Sequence, residues 1–282
     1  MKNTLLNISG KIDDNTVQLY KAVATLSNEL NIPFVVIGAS ARDIVLHHGY
    51  GARIQRATMD VDFGVQVSGW GAFAQLKECL VKQGFSQATQ QHRLISPDGI
   101  PMDVIPFGQM EDDRNNIQWP PDGAVVMSVL GFQEACDHAQ TARIQNDPAV
   151  EIPVATPEGM ALLKLVAWLD RSRDKRKGDA RDLAYLFTTY EEIPAVHDVV
   201  YENQQLMEEY DWDVTLAIAH QFGKASSAIS SEATSEYIQK LLNGNHETHS
   251  TEQLVEEMCD IPEQQFDRNE ALLDAFTKGF TT

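Results

Sequence analysis

The sequence predicts an α+β fold, in which a small mixed β-sheet flanked by helices is followed by a mainly helical C-terminal region. Short apolar runs that end at glycine, beginning with Phe34-Val35-Val36-Ile37, indicate buried strands in the first half of the chain. Helical periodicity separates these runs and prevails from Thr156-Pro157-Glu158 onward. We therefore expect a core domain over residues 1–155 and a helical domain over residues 156–282.

The elements follow in order along the chain. An amphipathic helix over residues 13–30 leads into a strand at 32–37, and Gly84 ends a second helix that begins at Trp70. Further strands are expected at 58–67, 85–89, 92–96, 100–107, 125–127 and 150–154, with a hairpin turn at Pro97-Asp98-Gly99. In the second half, Thr156 caps a helix, a Ser-rich stretch near 226–235 is expected to be weakly structured, and 243–252 is a polar loop.

The charge balance restricts the classes of partner. The 282 residues include 22 basic and 41 acidic ones, and a net charge of −19 opposes non-specific binding to nucleic acid. A local basic patch lies at 171–181, where acidic residues alternate with the basic ones, so a salt-bridged helix is the alternative. Nine acids between Glu247 and Asp274 form an acidic C-terminal segment that either binds a basic partner or aids solubility.

The sequence indicates a cytoplasmic protein that does not enter a membrane. No apolar run approaches the roughly 20 residues of a membrane span, and the N-terminus lacks the pattern of a signal peptide. The three cysteines, Cys79, Cys136 and Cys259, are far apart and show no metal-ligand spacing, which favours reduced thiols.

The stretch from Phe34 to Val65 carries the chemistry. The apolar strand breaks at Gly38-Ala39-Ser40, where glycine permits a close backbone approach and Ser40 stands in the N-cap position of a helix whose free N–H groups attract phosphate. In the next strand, Asp60 and Asp62 project to one face because side chains alternate. Paired carboxylates suit Mg²⁺, so the layout predicts a site for a nucleoside triphosphate and its metal ions.

Each of these residues also has a purely structural alternative. Asp60 and Asp62 could line an exposed strand edge, and Asp103, a charged residue in an apolar strand, could pair with Arg93 across the hairpin instead of serving as a third carboxylate. Ser40 could act only as an N-cap. Other candidates are Arg42, which could reach the triphosphate, Asp43, expected to cap or pair within the helix, Thr58, expected to position the loop, and His47, His48 and His92, expected to be structural or surface residues.

These motifs resemble known families. The Gly-Ala-Ser loop before Asp60-Val61-Asp62 resembles the nucleotidyltransferase superfamily of the DNA polymerase β type, and residues 38–43 are similar to the opening of tRNA nucleotidyltransferases and poly(A) polymerases. Lys164 to Arg171, followed by Lys177-Gly178-Asp179-Ala180-Arg181-Asp182-Leu183, resembles AbiEii-type proteins, including MenT-type toxins. The resemblance covers roughly residues 30–190. This chain departs from it at Ala39 and Gly178, which leaves the loop geometry open.

The resemblance implies a polymerase β-type core, a Mg²⁺-dependent nucleotidyltransferase and a toxin of a toxin–antitoxin or phage-defence system. It implies two Mg²⁺ ions, with Mn²⁺ as the alternative, an NTP substrate, a tRNA 3′ end as acceptor, a cognate antitoxin and growth inhibition. The implied catalytic residues are Asp60, Asp62, Asp103 and Lys164, the three aspartates being the metal ligands. The implied nucleotide-binding residues are Gly38, Ala39, Ser40, Arg42, Lys177, Asp179 and Asp182.

Several alternatives stay open at this point. Lys164 either offers its charge to pyrophosphate or extends to solvent, and Asp179 and Asp182 contact the nucleotide or Lys177, or are surface charges. The acceptor could instead be a hydroxyl on a protein or on a small molecule such as an aminoglycoside. An Asp-x-Asp glycosyltransferase and a non-catalytic nucleotide-binding or partner-binding module are the rival functions.

Overall fold

A computed structural model describes residues 5–54 and 60–282. Thr58 and the first residues of the strand expected at 58–67 lie outside the described residues. The chain divides into two compact units, one formed by Met1–Gly49 and Arg53–Thr156, the other by Tyr50–Ala52 and Pro157–Thr282. No helix in the described part of the chain is long and apolar enough to cross a bilayer.

The first unit contains a mixed sheet and four helices among its described residues. The strands are β1 Leu6–Asn7, β2 Phe34–Ile37, β3 Val61–Val67, β4 Ser86–Gln87, β5 Arg93–Ile95, β6 Pro101–Gly108, β7 Asn116–Gln118, β8 Val126–Ser128, β9 Gln140–Asn146 and β10 Ala149–Val154. The helices are α1 Asp14–Leu30, α2 Gly38–Arg42, continued by a π-helical segment Asp43–Gly49, α3 Trp70–Lys82 and α4 Phe132–Asp137. Helix α4 is not among the elements that the sequence predicts.

The main sheet has the order β1-β9-β10-β2-β3-β6-β5-β4, and β7 pairs with β8 separately. Strand β3 runs antiparallel to β2 and parallel to β6, while β5 forms the expected antiparallel hairpin with β6. The predicted mixed sheet with flanking helices is confirmed, but it is larger than expected, because β1 and β9, which the sequence did not predict, extend it beyond the predicted strands β2 and β10.

The core of the first unit lies between the sheet and α1. The central strands β2 and β3 bury their apolar side chains almost completely. Phe63 of β3 packs edge-on against Tyr20 of α1, with ring centroids 5.8 Å apart. The N-terminus of α1 is capped as expected, since the Asp13 side chain accepts hydrogen bonds from the backbone N–H and hydroxyl of Thr16. Burial of this apolar face holds β3 in place.

Helices are the only regular secondary structure in the described residues of the second unit. Its helices are α5 Pro157–Asp170, α6 Arg173–Thr189, α7 Pro194–Tyr201, α8 Gln204–Glu209, α9 Val214–Ile229, α10 Glu232–Leu242, α11 Thr251–Met258 and α12 Pro262–Thr281, with a 3₁₀ turn at Tyr190–Glu192. The expectation of weak structure near 226–235 is wrong. Only Ser230 and Ser231 interrupt the helices, and the Ser231 hydroxyl caps α10 by accepting from the Thr234 N–H.

Candidate active site

Two neighbouring parallel strands bring three carboxylates together. Asp60 lies immediately before β3 and Asp62 is its second residue, so both project away from the buried side chains of Val61 and Phe63. In the parallel pairing of β3 with β6, Asp62 stands directly opposite Asp103. The apolar positions that flank the acids therefore decide which face of the sheet the acids occupy.

The predicted convergence of the three aspartates is observed. Each offers a carboxylate oxygen, and these atoms all lie within 4.8 Å of one another. In the part of the chain that the structure describes, this is the one group of three such side chains found. The Asp60 side chain is 44% exposed and that of Asp103 is 16% exposed, so the cluster is reachable from solvent. Carboxylate oxygens are the hard donors that divalent cations such as Mg²⁺ and Mn²⁺ take in proteins.

Gly38 fits this cluster closely. Its φ of +68° belongs to the left-handed region, and a Cβ built on it would lie 2.2 Å from Oδ2 of Asp62. No side chain can occupy that space without moving the carboxylate. Gly38 therefore lies close against the carboxylate of Asp62, and its expected approach to phosphate stays a prediction.

Ser40 is not the N-cap of the helix that follows. Helix α2 begins at Gly38, and Ile37 occupies the cap position. Ala39 and Ser40 both lie within the first turn of the helix. The Ser40 hydroxyl lies 3.4 Å from the Ile37 carbonyl, to which it donates, and makes a hydrogen bond with Tyr20. Burial raises the pKa of Tyr20, which keeps the phenol neutral. Ser40 is 9% exposed, and its described contacts are with the protein itself.

Arg42 is buried and pairs with its neighbour in the chain, and its expected contact with a triphosphate stays a prediction. Arg42 is 2% exposed. Its guanidinium donates to Oδ1 of Asp43 from Nε at 3.0 Å and from Nη2 at 2.8 Å. The expectation that Asp43 pairs within the helix is correct.

Arg93 is a direct neighbour of the carboxylates. The sequence predicted it only as a structural partner of Asp103. In the β5–β6 hairpin it stands opposite Asp103. Its Nε and Nη2 atoms donate to the two oxygens of Asp103 at 2.6 and 2.7 Å, and Nη2 also lies 3.3 Å from Oδ2 of Asp60. These bonds, chiefly those to Asp103, raise the pKa of Arg93 above its ordinary value. The two alternatives for Asp103 are therefore both realised, since it pairs with Arg93 and also belongs to the cluster.

His92 was expected to be structural or a surface residue, yet it borders the same cluster. Its Nε2 lies 3.9 Å from Oδ2 of Asp103, and its ring packs edge-on against Trp119 at 5.6 Å between centroids. The hairpin turn at 97–99 places residues 92 and 93 beside β6, which is the signal that could have identified both residues from the sequence.

Lys164, Asp179 and Asp182 form a second charged cluster, which belongs to the helical unit. Lys164 Nζ lies 2.9 Å from Oδ1 of Asp179 and 2.7 Å from Oδ2 of Asp182, and Arg171 donates to both oxygens of Asp179. Burial alone would lower the pKa of Lys164, but the two carboxylates outweigh it and raise that pKa, so the lysine stays charged. The alternatives of a solvent-directed Lys164 and of surface-exposed aspartates are both wrong.

The basic patch at 171–181 is largely a salt-bridged helix. Arg176 donates to both oxygens of Glu257, whose Oε2 also accepts from the Trp168 indole. Arg181 pairs with Asp260 at 3.0 Å. Lys177 is exposed, and the partner of Asp179 is Lys164 instead. These pairs also show that the acidic C-terminal segment is a folded part of the helical unit, because its acids bind arginines of α6.

The model of one protein family matches most of the chain. Residues 24–255 match the family described as the nucleotidyl transferase AbiEii toxin of Type IV toxin–antitoxin systems. The chain belongs to the AbiEii family. It is therefore a nucleotidyltransferase, as the motifs at residues 38–62 and 164–182 indicated, and the match extends beyond the expected 30–190 at both ends. A comparison with curated protein sequences gave no match.

Solved structures with a similar chain course include other nucleotidyltransferases. The solution structure of the antibiotic-resistance factor ANT(2'')-Ia is 15% identical, covering 71% of this chain and 98% of that one at a TM-score of 0.36. A crystal structure of ANT(2'')-Ia in complex with adenylyl-2''-tobramycin is 14% identical, covering 76% and 96% at a TM-score of 0.35. The Thermotoga maritima CCA-adding enzyme complexed with tRNA is 11% identical, covering 95% and 80% at 0.27. Scores this low support no residue correspondence with this AbiEii protein.

Proposed function

We propose that this AbiEii protein transfers an NMP from an NTP to an acceptor hydroxyl and releases pyrophosphate, with Asp60, Asp62 and Asp103 holding two Mg²⁺ ions. The observation that carries the proposal is the convergence of three carboxylate oxygens within 4.8 Å on adjacent strands. Three adjacent acids repel one another unless cations offset their charge, and a cluster reachable from solvent suits metal-bound phosphate.

In the proposed reaction the acceptor oxygen attacks the α-phosphorus as the bond to the β-phosphate oxygen breaks, and pyrophosphate leaves with the bonding electrons. Bound divalent ions supply Lewis-acid stabilisation of the developing charge. Asp103, held by Arg93, orients the acceptor hydroxyl, whose proton passes to this carboxylate or to water. Asp62 is kept in place by the backbone at Gly38, where a side chain would displace it.

The remaining site assignments are part of the same proposal. We assign the nucleotidyltransferase core to residues 1–155 and the helical domain to 156–282. Gly38 and Ala39 are proposed to approach the phosphates through their backbone, whereas the contacts of Ser40 and Arg42 favour a supporting role. A catalytic role for Lys164 and nucleotide-binding roles for Lys177, Asp179 and Asp182 stay predictions of the family resemblance.

A tRNA 3′ end is the proposed acceptor, and growth inhibition relieved by a cognate antitoxin is the proposed outcome. The family description, a toxin of Type IV toxin–antitoxin systems, supports the toxin and antitoxin roles. The net charge of −19 and the ion pairs of Arg171, Arg176 and Arg181 work against extended contact with RNA. A compact acceptor end, contacted over a few nucleotides, is consistent with that surface.

The test is incubation of the full chain with each α-labelled NTP and Mg²⁺, in the presence of purified total tRNA, total protein or a small-molecule extract. We expect label in the tRNA fraction, none with EDTA and none with Asp62→Asn. Glu151→Gln, which alters an exposed carboxylate of the same sheet, serves as the matched control. Label in the protein fraction or in a small molecule would show that the acceptor is not tRNA. If the wild type transfers no NMP from any NTP, the proposed activity is rejected.

A further inference from the structure

Arg93 makes two kinds of contact with the carboxylate cluster. Its fork of donors engages both oxygens of Asp103 at 2.6 and 2.7 Å, while the contact to Asp60 is single and longer, at 3.3 Å. The bidentate pair fixes the plane of the Asp103 carboxylate, which a single bond would leave free to rotate. The single bond is the weaker one, because it shares Nη2 with Asp103.

The same geometry makes Arg93 a competitor of a metal ion. An ion that binds the three carboxylates must take an oxygen of Asp60, and it carries the same sign of charge as the guanidinium that lies 3.3 Å from that residue. The oxygens of Asp103 and Asp60 can accept from Arg93 and still ligate an ion, since each carboxylate oxygen has two lone pairs. The competition at Asp60 is therefore one of like charges, which weakens the single, longer contact with Asp60 while the bidentate contact with Asp103 stays in place.

We infer that Arg93 is the positioning residue of Asp103 and that its charge also sets the metal affinity of the site by competing for Asp60. This inference rests on the proposed function. The two roles separate by substitution, because Arg93→Lys keeps the charge and loses the fork, whereas Arg93→Met loses both.

The experiment measures Mn²⁺ binding to the nucleotide-free full chain by electron paramagnetic resonance, and transfer rates with labelled NTP. For Arg93→Met we expect Mn²⁺ to bind roughly three- to tenfold more tightly, since a nearby positive charge is gone. We expect its kcat to fall about a hundredfold, since Asp103 is no longer held. For Arg93→Lys we expect Mn²⁺ affinity within about twofold of wild type and a kcat about tenfold lower.

Arg143→Met is the matched control, because Arg143 also donates from Nε and Nη2 to a carboxylate, that of Glu151, and its side chain is 33% exposed against 31% for Arg93. It should leave both quantities unchanged. Unchanged or weaker Mn²⁺ binding by Arg93→Met would overturn the competition, and an unchanged kcat would overturn the positioning. If Arg93→Met does not fold, a kcat of Arg93→Lys equal to that of the wild type overturns the claim that Arg93 positions Asp103. If the wild type transfers nothing, the proposed reaction fails and Mn²⁺ binding alone decides the role of Arg93.

Discussion

The two charged clusters of this protein differ in charge balance and in burial. The cluster of the first unit sets three carboxylates, Asp60, Asp62 and Asp103, against the guanidinium of Arg93, and it is reachable from solvent. The cluster of the helical unit pairs two aspartates with two bases, Lys164 and Arg171, and its aspartates are 1% and 2% exposed. The first has an excess of negative charge that a divalent cation would balance, whereas the second is neutral without a ligand.

The comparison distinguishes a cluster suited to binding a cation from a cluster that stabilises the fold. Buried ions are tolerated only when each is paired, so the helical cluster depends on all its members. Partly exposed ions keep some of their hydration and can remain unbalanced until a cation binds. Charge balance and exposure together therefore distinguish two clusters that look equally acidic in sequence.

The largest expected effect is on activity. Asp60→Asn should reduce transfer by at least about 10³-fold, because it removes charge where the proposed reaction holds its metal ions. Its free energy of unfolding should stay within about 0.5 kcal/mol of wild type or rise, since one mutual repulsion is lost. Labelled-NTP transfer and urea denaturation measure the two quantities. Destabilisation by several kcal/mol would show that the first cluster is structural like the second.

The next largest effect is on stability and concerns the other cluster. Asp179→Ala leaves Lys164 with one of its two described partners in a buried setting, and Arg171 loses its own. We expect the free energy of unfolding to fall by about 3–5 kcal/mol. Urea denaturation of Asp179→Ala beside Asp174→Ala, an exposed acid of the same helix, provides the measurement and its control. Equal stability of the two variants would remove the contrast between the clusters.

A third prediction concerns the backbone beneath the first cluster. Gly38→Ala and Gly10→Ala should both lose about 1–2 kcal/mol of stability, because both glycines have positive φ, +68° and +77°. Only Gly38→Ala places a Cβ against Asp62, since nothing lies within 4 Å at Gly10. We therefore expect transfer to fall roughly 10²-fold in Gly38→Ala alone. Matching activities would mean that the position of Asp62 does not depend on Gly38.

The smallest expected effect is a pH dependence of the helical unit. Burial lowers the pKa of His220, and this outweighs the opposing charge of Glu209. A lowered folded-state pKa means that the unfolded chain binds protons more readily, so stability is lost as pH falls below the ordinary value of 6.5. Between pH 7.5 and 5.5 the free energy of unfolding should fall further in the wild type than in His220→Asn, by up to about 1 kcal/mol. Parallel urea midpoints of the two proteins across this range would contradict the assignment.

Local patterns predicted several parts of the site. The two-residue period of a strand puts Asp60 and Asp62 on one face, and the Pro97-Asp98-Gly99 turn sets the register that pairs Arg93 with Asp103. These inferences succeed because they depend on residues within about ten positions of one another, where backbone geometry decides the outcome.

Burial decides contacts that short sequence patterns leave open. Packing encloses both Ser40 and Arg42, and a buried hydroxyl or guanidinium takes the nearest protein partners. Lys164 and Asp179 are fifteen residues apart on successive helices, and the sequence does not show which acid of α6 the lysine meets. Such pairs depend on how two helices pack, which is not a local property.

Residue patterns were enough to predict the mixed sheet with its helices, the nucleotidyltransferase family and the faces on which the acids lie. Tertiary structure alone decided that β3 runs parallel to β6 in the register that sets Asp62 opposite Asp103, and that Gly38 lies against that carboxylate. The physical reason is the range of the interaction. A parallel pair of strands is joined by a long crossover, so its register is fixed by the packing of the whole sheet and not by any short segment.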